Sequence, residues 1–111
     1  MTGVITGDII DSKKVQASLW LEPLEAELGL VGMQPRDWEI FRGDSFQLEV
    51  DPVKALGTAI RIKAAIRRVK QIDVRLAIGI GEKTHVSERI TESNGSAFIY
   101  SGELFERLER E

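Results

Sequence analysis

The sequence predicts an α+β domain built around an antiparallel sheet, and three observations support this prediction. Four segments have the alternating or continuously apolar composition of β-strands. Two longer segments between them repeat apolar residues at helical spacing. The elements follow one another as strand, helix, strand, strand, helix, strand, with a helical extension at the end. At 111 residues the chain is long enough for one such domain and too short for two.

The composition limits the classes of protein to which the chain can belong. Hydrophobic residues make up 42% and charged residues 30%, so the chain is expected to fold rather than to be disordered. It has no cysteine, which excludes disulfides and thiolate metal sites and favours a cytoplasmic location. No apolar run is long enough to span a membrane. With a net charge of −3, the domain is not expected to bind nucleic acid directly.

The first strand is predicted at residues 3–10 (GVITGDII), a β-branched apolar run without proline that suits burial on both faces. Asp8 lies near the end of this strand. Asp11 and Ser12 follow as caps for a helix that Pro23 kinks or restarts, and glycines at positions 29 and 32 end it. The apolar residues of this helix recur at roughly helical spacing and are Val15, Leu19, Leu24 and Leu28.

A β-hairpin is predicted in the segment WEIFRGDSFQLEV, residues 38–50. Apolar residues alternate with polar ones on both sides of Gly43 and Asp44. Glycine at the first central position of a two-residue loop predicts a type II′ turn. Such a turn requires the glycine but not the aspartate, so Asp44 is either ordinary turn chemistry or part of a site.

The second helix, which follows the hairpin, is the most strongly predicted element. Asp51 is its N-cap and Pro52 occupies the first helical position. Its basic residues are expected to face solvent. Its predicted apolar side consists of Leu56, Ala59, Ile60, Ile62, Ile66 and Val69.

The last strand, DVRLAIGIGE, alternates larger apolar residues with Ala77, Gly79 and Gly81. Bare glycines on one face of a strand indicate a close approach, either by a packed helix, which is the commoner cause, or by a ligand. A final helix is predicted from about residue 97 onward.

The βαββαβ order of these elements is typical of the split βαβ, or ferredoxin-like, arrangement. Both main helices then cover one face of a four-stranded antiparallel sheet. The first strand lies beside the third and antiparallel to it. Asp8 at the end of the first strand is thereby brought to the same sheet edge as Asp44 in the hairpin turn, and Asp11 lies close by. The sequence therefore predicts a cluster of carboxylates at one edge of the sheet.

Carboxylates beside the start of a helix suit a hydrated cation that carries phosphates. Magnesium is usually held by one or two carboxylates together with phosphate oxygens, and helix N-termini favour anions. We therefore predict that Asp8 and Asp44 bind Mg²⁺. The predicted contacts to a ligand phosphate are Asp8, Asp11, Ser12, Arg42, Asp44 and Lys83. The alternative is that the acids are cap and turn residues and that Lys83 serves solubility.

Four blocks of the sequence together resemble the SatD family of bacterial proteins: ITGDIIDS, FRGDSFQ, RLAIGIGE and SNGSAFIYSGE. More distantly, the layout is similar to the palm-like domains of class III nucleotide cyclases and GGDEF diguanylate cyclases. In those domains an aspartate after the first strand and another in the hairpin bind metal, and by position these are Asp8 and Asp44. The SatD resemblance implies that residues 1–111 are the N-terminal sensing domain of a longer bacterial transcriptional regulator. Its C-terminal part would then resemble a helix-turn-helix DNA-binding region.

The chain departs from the cyclase pattern at positions that carry catalysis. Ser45 stands where the GGDEF hairpin has an acidic residue. Ile99 and Glu103 stand where class III cyclases have the asparagine and arginine that stabilise the transition state. Because catalysis depends on groups that stabilise developing charge, the resemblance implies a retained binding cleft rather than a retained reaction.

Three functions remain open from the sequence. The preferred one is a non-catalytic, ligand-sensing domain that binds a nucleotide or another phosphorylated metabolite, with Mg²⁺, through Asp8 and Asp44. The second is a metal-dependent enzyme of phosphoryl or nucleotidyl transfer that uses the same acids. The third is a domain that forms a homodimer or docks a partner without any ligand. None of the three requires a membrane.

Overall fold

The computed structural model describes residues 1–110 as an α+β domain with one four-stranded sheet. The strands are β1 (Thr2–Ile10), β2 (Trp38–Phe41), β3 (Ser45–Val50) and β4 (Asp73–Gly81). The helices are α1 (Ser18–Gly29), α2 (Pro52–Arg67) and α3 (Ser96–Arg110), and short 3₁₀ turns occupy Ser12–Lys14 and Ile90–Glu92. The strand order is β2-β3-β1-β4 and all neighbouring strands are antiparallel. This confirms the predicted ferredoxin-like arrangement, including the pairing of the first strand with the third.

The two faces of the sheet have different partners because successive side chains of a strand point to opposite faces. One face carries the larger core, in which Ile5, Phe46 and Val74 pack with the buried sides of α1 and α2. The other face carries a smaller cluster, in which Val4 of β1 packs with Phe98 of α3. The predicted extra helix therefore covers the sheet face opposite to the two main helices.

The glycines of β4 are explained by the approach of α3. A Cβ atom placed on Gly79 would overlap the backbone of Ala97 and Ser101, and one placed on Gly81 would overlap Ser96. The hydroxyl group of Ser101 also donates to the carbonyl oxygen of Ala77 at 2.8 Å. A packed helix, and not a ligand, therefore accounts for the bare face of this strand.

The first helix differs from its prediction in where it begins and in what it buries. The residues after β1 form a separate 3₁₀ turn, and α1 begins only at Ser18. Its buried stripe is Trp20, Leu24 and Leu28, whereas Leu19 is exposed. Pro23 lies inside α1. The prediction failed because it extended one helical phase across a break in the helix.

The hairpin loop also differs from its prediction. Phe41 pairs with Ser45, which leaves a three-residue loop at positions 42–44. Arg42 and Gly43 both have positive φ angles, of 54° and 85°. The predicted two-residue type II′ turn centred on Gly43 and Asp44 is therefore wrong. The loop has three residues, and Arg42 as well as Gly43 has a left-handed backbone conformation.

The second helix begins as predicted, and three of the six residues of its predicted apolar side are buried. The side chain of Asp51 accepts a hydrogen bond from the backbone N–H of Val53 at 2.9 Å, which confirms the N-cap. The buried residues of α2 are Ala55, Ala59, Ile62, Ala65 and Ile66. Leu56 and Ile60, which were predicted to be in the core, are 65% and 59% exposed. In residues 1–110 no helix is both long and apolar enough to cross a membrane.

Candidate functional site

The strand register brings the two predicted acids to one edge of the sheet. Asp8 pairs with Ser45 across β1 and β3, so Asp44 is one residue from the partner of Asp8. The backbone N–H of Ile9 donates to the carbonyl oxygen of Asp44 at 2.9 Å, which continues the pairing into the turn. We refer to the end of β1, the 42–44 loop and the adjoining Ser12 as the Asp8–Asp44 edge.

Asp8 is held by an arginine from the neighbouring strand. Arg75 of β4 lies opposite Asp8 in the β1–β4 register. Its Nε and Nη2 atoms donate to the two carboxylate oxygens at 3.0 and 2.8 Å, the two-pronged geometry in which arginine binds carboxylates and phosphates most strongly. The hydrogen bond with Asp8 raises the pKa of Arg75, against the opposing effect of burial. Asp8 is 8% exposed and is therefore a buried but paired charge.

Asp44 is held by the segment that follows β1. The hydroxyl group of Ser12 donates to its Oδ2 atom at 2.6 Å. The indole N–H of Trp20, a buried residue of α1, donates to the carbonyl oxygen of Ser12 at 3.2 Å. The packing of α1 on the sheet thus positions Ser12, and through it the side chain of Asp44. The loop acid is part of a tertiary contact rather than a free turn residue.

Two other predicted residues, Asp11 and Arg42, also lie close to this edge, both in the left-handed backbone region. Asp11 has a φ angle of 61°, is exposed and forms an ion pair with Lys14 at 3.4 Å. Arg42 has a φ angle of 54°, and its guanidinium carbon lies 5.8 Å from the centre of the Phe41 ring, within the range of a cation–π contact. Arg42 is exposed and adjoins the loop that carries Asp44.

Lys83 is not brought to this edge. It forms an ion pair at 2.8 Å with Glu49 of β3. The oxygen atoms of Glu49 also accept from Thr2, at the opposite end of β1 from Asp8. Thr2 and Asp8 are six positions apart along an extended strand, a distance of about 20 Å. The structure therefore separates Lys83 from the other predicted phosphate contacts.

The predicted magnesium site fits the arrangement of side chains poorly. Both oxygens of Asp8 accept from Arg75, and one oxygen of Asp44 accepts from Ser12. Within residues 1–110 no group of three or more histidine, aspartate or glutamate side chains is placed to hold a metal ion. A cation could use Asp8 only after Arg75 moved away from it. The edge as it stands presents the guanidinium groups of Arg75 and Arg42 beside carboxylates of which Asp8 is fully paired.

Arg75 is the residue of this edge that sequence reasoning missed. Its signal is a charge inside a strand, DVRLAIGIG, that is apolar after its first residue apart from this position, on the same strand face as the two glycines. Recognising its role required the β1–β4 register, which places it opposite Asp8. Its guanidinium group is also within electrostatic range of Asp44 and of Glu109, in the last turn of α3. Arg75 thus links three elements of the site.

A second buried acid on the same sheet face was also missed. Glu39 of β2 is 5% exposed and accepts from Arg89 and, at 2.7 Å, from Thr91. Burial by itself raises the pKa of Glu39, but the hydrogen bonds from Thr91 and Arg89 outweigh burial and hold the pKa below its usual value. These contacts fasten the segment between β4 and α3 to the sheet.

A surface groove lies elsewhere on the domain. It has a volume of about 390 Å³ and runs between the end of α1 and the start of α2. Val50 and Asp51 line it, at the opposite end of β3 from Asp44. The Arg61–Glu27 ion pair, at 3.3 Å, closes part of this groove. The groove is therefore separate from the Asp8–Asp44 edge.

Comparison with known proteins adds no relative to this description. Neither a scan against protein-family models nor a search of curated proteins found a match to the chain. The likeness to SatD proteins stays a prediction that rests on the four sequence blocks. The functional argument therefore depends on the residues of the site.

Proposed function

We propose that the chain is a non-catalytic, ligand-sensing domain that binds a nucleotide or another phosphorylated metabolite at the Asp8–Asp44 edge. We propose further that it serves as the sensing part of a bacterial transcriptional regulator of the SatD type. The Asp8–Arg75 pair is the observation that carries the ligand proposal.

The pair supports ligand binding because it orients the guanidinium group of Arg75, which can bind anions, at a position that is partly exposed to solvent. The side chain of Arg75 is 31% exposed, whereas that of Asp8 is 11% exposed. The guanidinium group is therefore oriented by a buried carboxylate and still accessible from solvent. A phosphate group has the geometry to accept its remaining N–H groups. Arg42, exposed on the adjoining loop, supplies a second guanidinium group for the same anion.

The same pair argues against a catalytic function. A metal-dependent transfer reaction needs carboxylates that are free to coordinate the ion, and Asp8 is already bonded through both oxygens. At the positions of the cyclase asparagine and arginine the chain has Ile99, whose side chain has no hydrogen-bond donor, and Glu103, whose side chain is negatively charged. Neither group can stabilise negative charge that develops on a phosphate. If Mg²⁺ takes part in binding through Asp8, it must displace Arg75 from that carboxylate.

The proposal is tested by ligand-induced stabilisation of the purified chain. The ligands are nucleoside mono-, di- and triphosphates, sugar phosphates and inorganic phosphate, each with and without Mg²⁺. A ligand present at about 100 times its dissociation constant is expected to raise the free energy of unfolding by about 2.7 kcal/mol. In Arg75→Gln and Arg42→Gln variants the stabilisation is expected to be much smaller. Arg36→Gln, which removes an exposed arginine outside the Asp8–Asp44 edge, is the matched control.

Two results would contradict the proposal. One is equal stabilisation of the wild type and of the Arg75→Gln and Arg42→Gln variants by every compound that binds, or no stabilisation by any. The other is turnover of a nucleoside triphosphate that requires Mg²⁺ and that Asp44→Asn abolishes while the fold survives. The second result would replace the sensing function with an enzymatic one.

A further inference from the structure

We propose that the outer edge of β4 is a homodimer interface. The strand pairs with β4 of a second copy of the chain, antiparallel, about a two-fold axis that passes through Ile78. Two four-stranded sheets are thereby joined into one. This inference is independent of the proposed ligand and uses none of the residues of the Asp8–Asp44 edge.

The backbone of β4 has one free side. Among residues 1–110 this strand pairs only with β1. In an antiparallel ladder the N–H and C=O groups of alternate residues point away from the neighbouring strand. Val74 is one of these residues, because its backbone groups bond to side chains and not to β1. Its N–H donates to the side chain of Asp73 at 2.7 Å, and its carbonyl oxygen accepts from Lys63 at 3.1 Å. At Val74 the outer side is thus closed by side chains.

Beyond Val74 the outer side is open. By the same alternation the outward groups belong to Leu76, Ile78 and Ile80. All three side chains are apolar and lie on the face covered by α2. The open stretch is symmetric about Ile78, with one apolar residue two positions away on each side. Such an edge is a template for a further strand.

The flank of α2 beside this edge is apolar and exposed. Lys63 reaches β4, so residues on the same side of α2 face the outer edge of the strand. Leu56 and Ile60 lie on that side and are 65% and 59% exposed. Proteins that keep a strand edge free usually place charges there, and Lys63 does so only at the Val74 end.

The flank of α3 beside the edge is also apolar. The small residues Ala97 and Ser101 rest on the glycines of β4, and Phe98 points inward to the cluster around β1. The opposite flank of α3 therefore faces outward. It carries Tyr100 and Leu104, which are 55% and 40% exposed. The open strand edge is thus bordered by exposed apolar side chains on both faces of the sheet.

A second copy of the same chain is the partner that fits this edge best. Two-fold pairing about Ile78 places Leu76 opposite Ile80 of the second copy, which matches apolar with apolar side chains at every open position. Charges match at the ends of the paired strands. The cations Lys63 and Arg67 share one carboxylate, Asp73, within the chain, so this corner keeps a net positive charge, and it comes opposite the exposed Glu82 of the other copy.

The backbone also limits this pairing to the open stretch. Val74 would lie opposite Glu82 of the second copy. The backbone N–H of Glu82 already donates to the hydroxyl oxygen of Ser96, and its carbonyl oxygen already accepts from the backbone N–H of Ala97. The ladder between copies therefore ends where both strands are already satisfied.

The first test is the mass of the purified chain in solution, by sedimentation velocity over a range of concentrations. We expect a dimer that Ile60→Lys and Leu104→Lys each weaken by about tenfold or more in dissociation constant. Both positions are exposed, so the monomer fold should survive, which circular dichroism checks. Leu30→Lys introduces the same charge at a residue that is 67% exposed at the end of α1, and it should leave the dimer unchanged.

The second test is the register of the pairing. The chain has no cysteine, so introduced thiols have no competitors. Residues that exchange backbone hydrogen bonds have Cα atoms about 5.5 Å apart, within the range for a disulfide. A mixture of Leu76→Cys and Ile80→Cys chains should therefore form a disulfide-linked heterodimer on mild oxidation, faster than either variant forms a homodimer.

Three results would overturn the interface. The first is a monomer at all concentrations up to about 1 mM, the limit of weak association. The second is a dimer that Ile60→Lys and Leu104→Lys do not weaken. The third is oxidation of the cysteine variants without preference for the mixed pair.

Discussion

Two buried acids on the same face of the sheet, Asp8 and Glu39, are each paired with an arginine, but the arginines come from different kinds of structure. Arg89 belongs to the irregular segment between β4 and α3 and holds it to Glu39 together with Thr91. Arg75 belongs to β4, which β1 already holds through its backbone. The Glu39 pair therefore helps to position a loop that is also held by the buried side chain of Ile90 and by its backbone N–H, which donates to Pro35. The Asp8 pair adds little to a sheet whose strands are already paired.

This difference separates a structural ion pair from a candidate functional one. A buried ion pair is weak evidence for stability, because desolvation offsets much of the attraction between the charges. Where such a pair fastens a loop, its retention has a structural explanation. The Asp8 pair lacks that explanation, and its arginine is partly open to solvent. This difference supports the proposal that Asp8 and Arg75 take part in recognition, whereas Glu39 and Arg89 attach a loop.

The largest expected effect is the removal of Arg89. Arg89→Ala leaves Glu39 buried with one fewer partner, and we expect it to lower the free energy of unfolding by about 2 to 3 kcal/mol. Urea denaturation gives the value, and hydrogen exchange should show faster exchange in residues 82–95. If the free energy of unfolding falls by less than about 0.5 kcal/mol, the Glu39–Arg89 pair is as weak as a surface ion pair. It would then not differ from the Asp8–Arg75 pair in holding a loop.

A smaller effect is expected when the pair at Asp8 is broken. Asp8→Asn keeps the shape of the side chain but removes its charge, and we expect a loss of about 1 to 2 kcal/mol. In the double variant Asp8→Asn with Arg75→Met, part of that loss should be recovered, because no unpaired guanidinium group remains. Ligand stabilisation should be absent in the double variant. If the double variant binds as the wild type does, recognition lies elsewhere.

The dependence of the free energy of unfolding on pH in acid solution should also report on the Glu39 ion pair. The folded-state pKa of Glu39 lies below its ordinary value of 4.5. Its ionised form therefore stabilises the fold above that pH, and the contribution is lost as the pH falls through the lower folded-state value. Unfolding of the wild type should become easier more steeply below pH 4.5 than unfolding of Glu39→Gln. Equal slopes in the two proteins would show that Glu39 is not preferentially ionised in the fold.

The smallest expected effect concerns the loop beside Asp44. Arg42 has a left-handed backbone conformation that is costly for any residue with a Cβ atom. Arg42→Gly should therefore raise the free energy of unfolding by about 0.5 kcal/mol, after the entropy cost of glycine is subtracted. The same change should weaken ligand binding, because it removes a guanidinium group. Stabilisation without any loss of binding would leave Arg42 as an unexplained strained residue.

Local patterns in the sequence determined much of this fold. Asp51 and Pro52 favour a helix start, because cap and first-turn geometry depend on close neighbours in the chain, and α2 begins there. The alternation in β3 and β4 specified which side chains share a face, since a strand has a period of two. The order of elements then implied that β1 pairs with β3 and brings Asp8 and Asp44 to the same edge of the sheet, and the β1–β3 register confirms this pairing.

The tertiary structure alone decided which partner each charge has and which helix faces are covered. Arg75 bonds to Asp8 because the register between β1 and β4 places these two residues opposite each other. They are 67 positions apart in the chain, so no local pattern contains this pairing. Leu56 and Ile60 continue the helical stripe of α2, yet they are exposed because α2 lies at the free edge of β4. Periodicity shows that a helix has an apolar side. Only the placement of neighbouring elements determines how much of that side is covered, and here some of it is left open at the edge where we propose that a second copy binds.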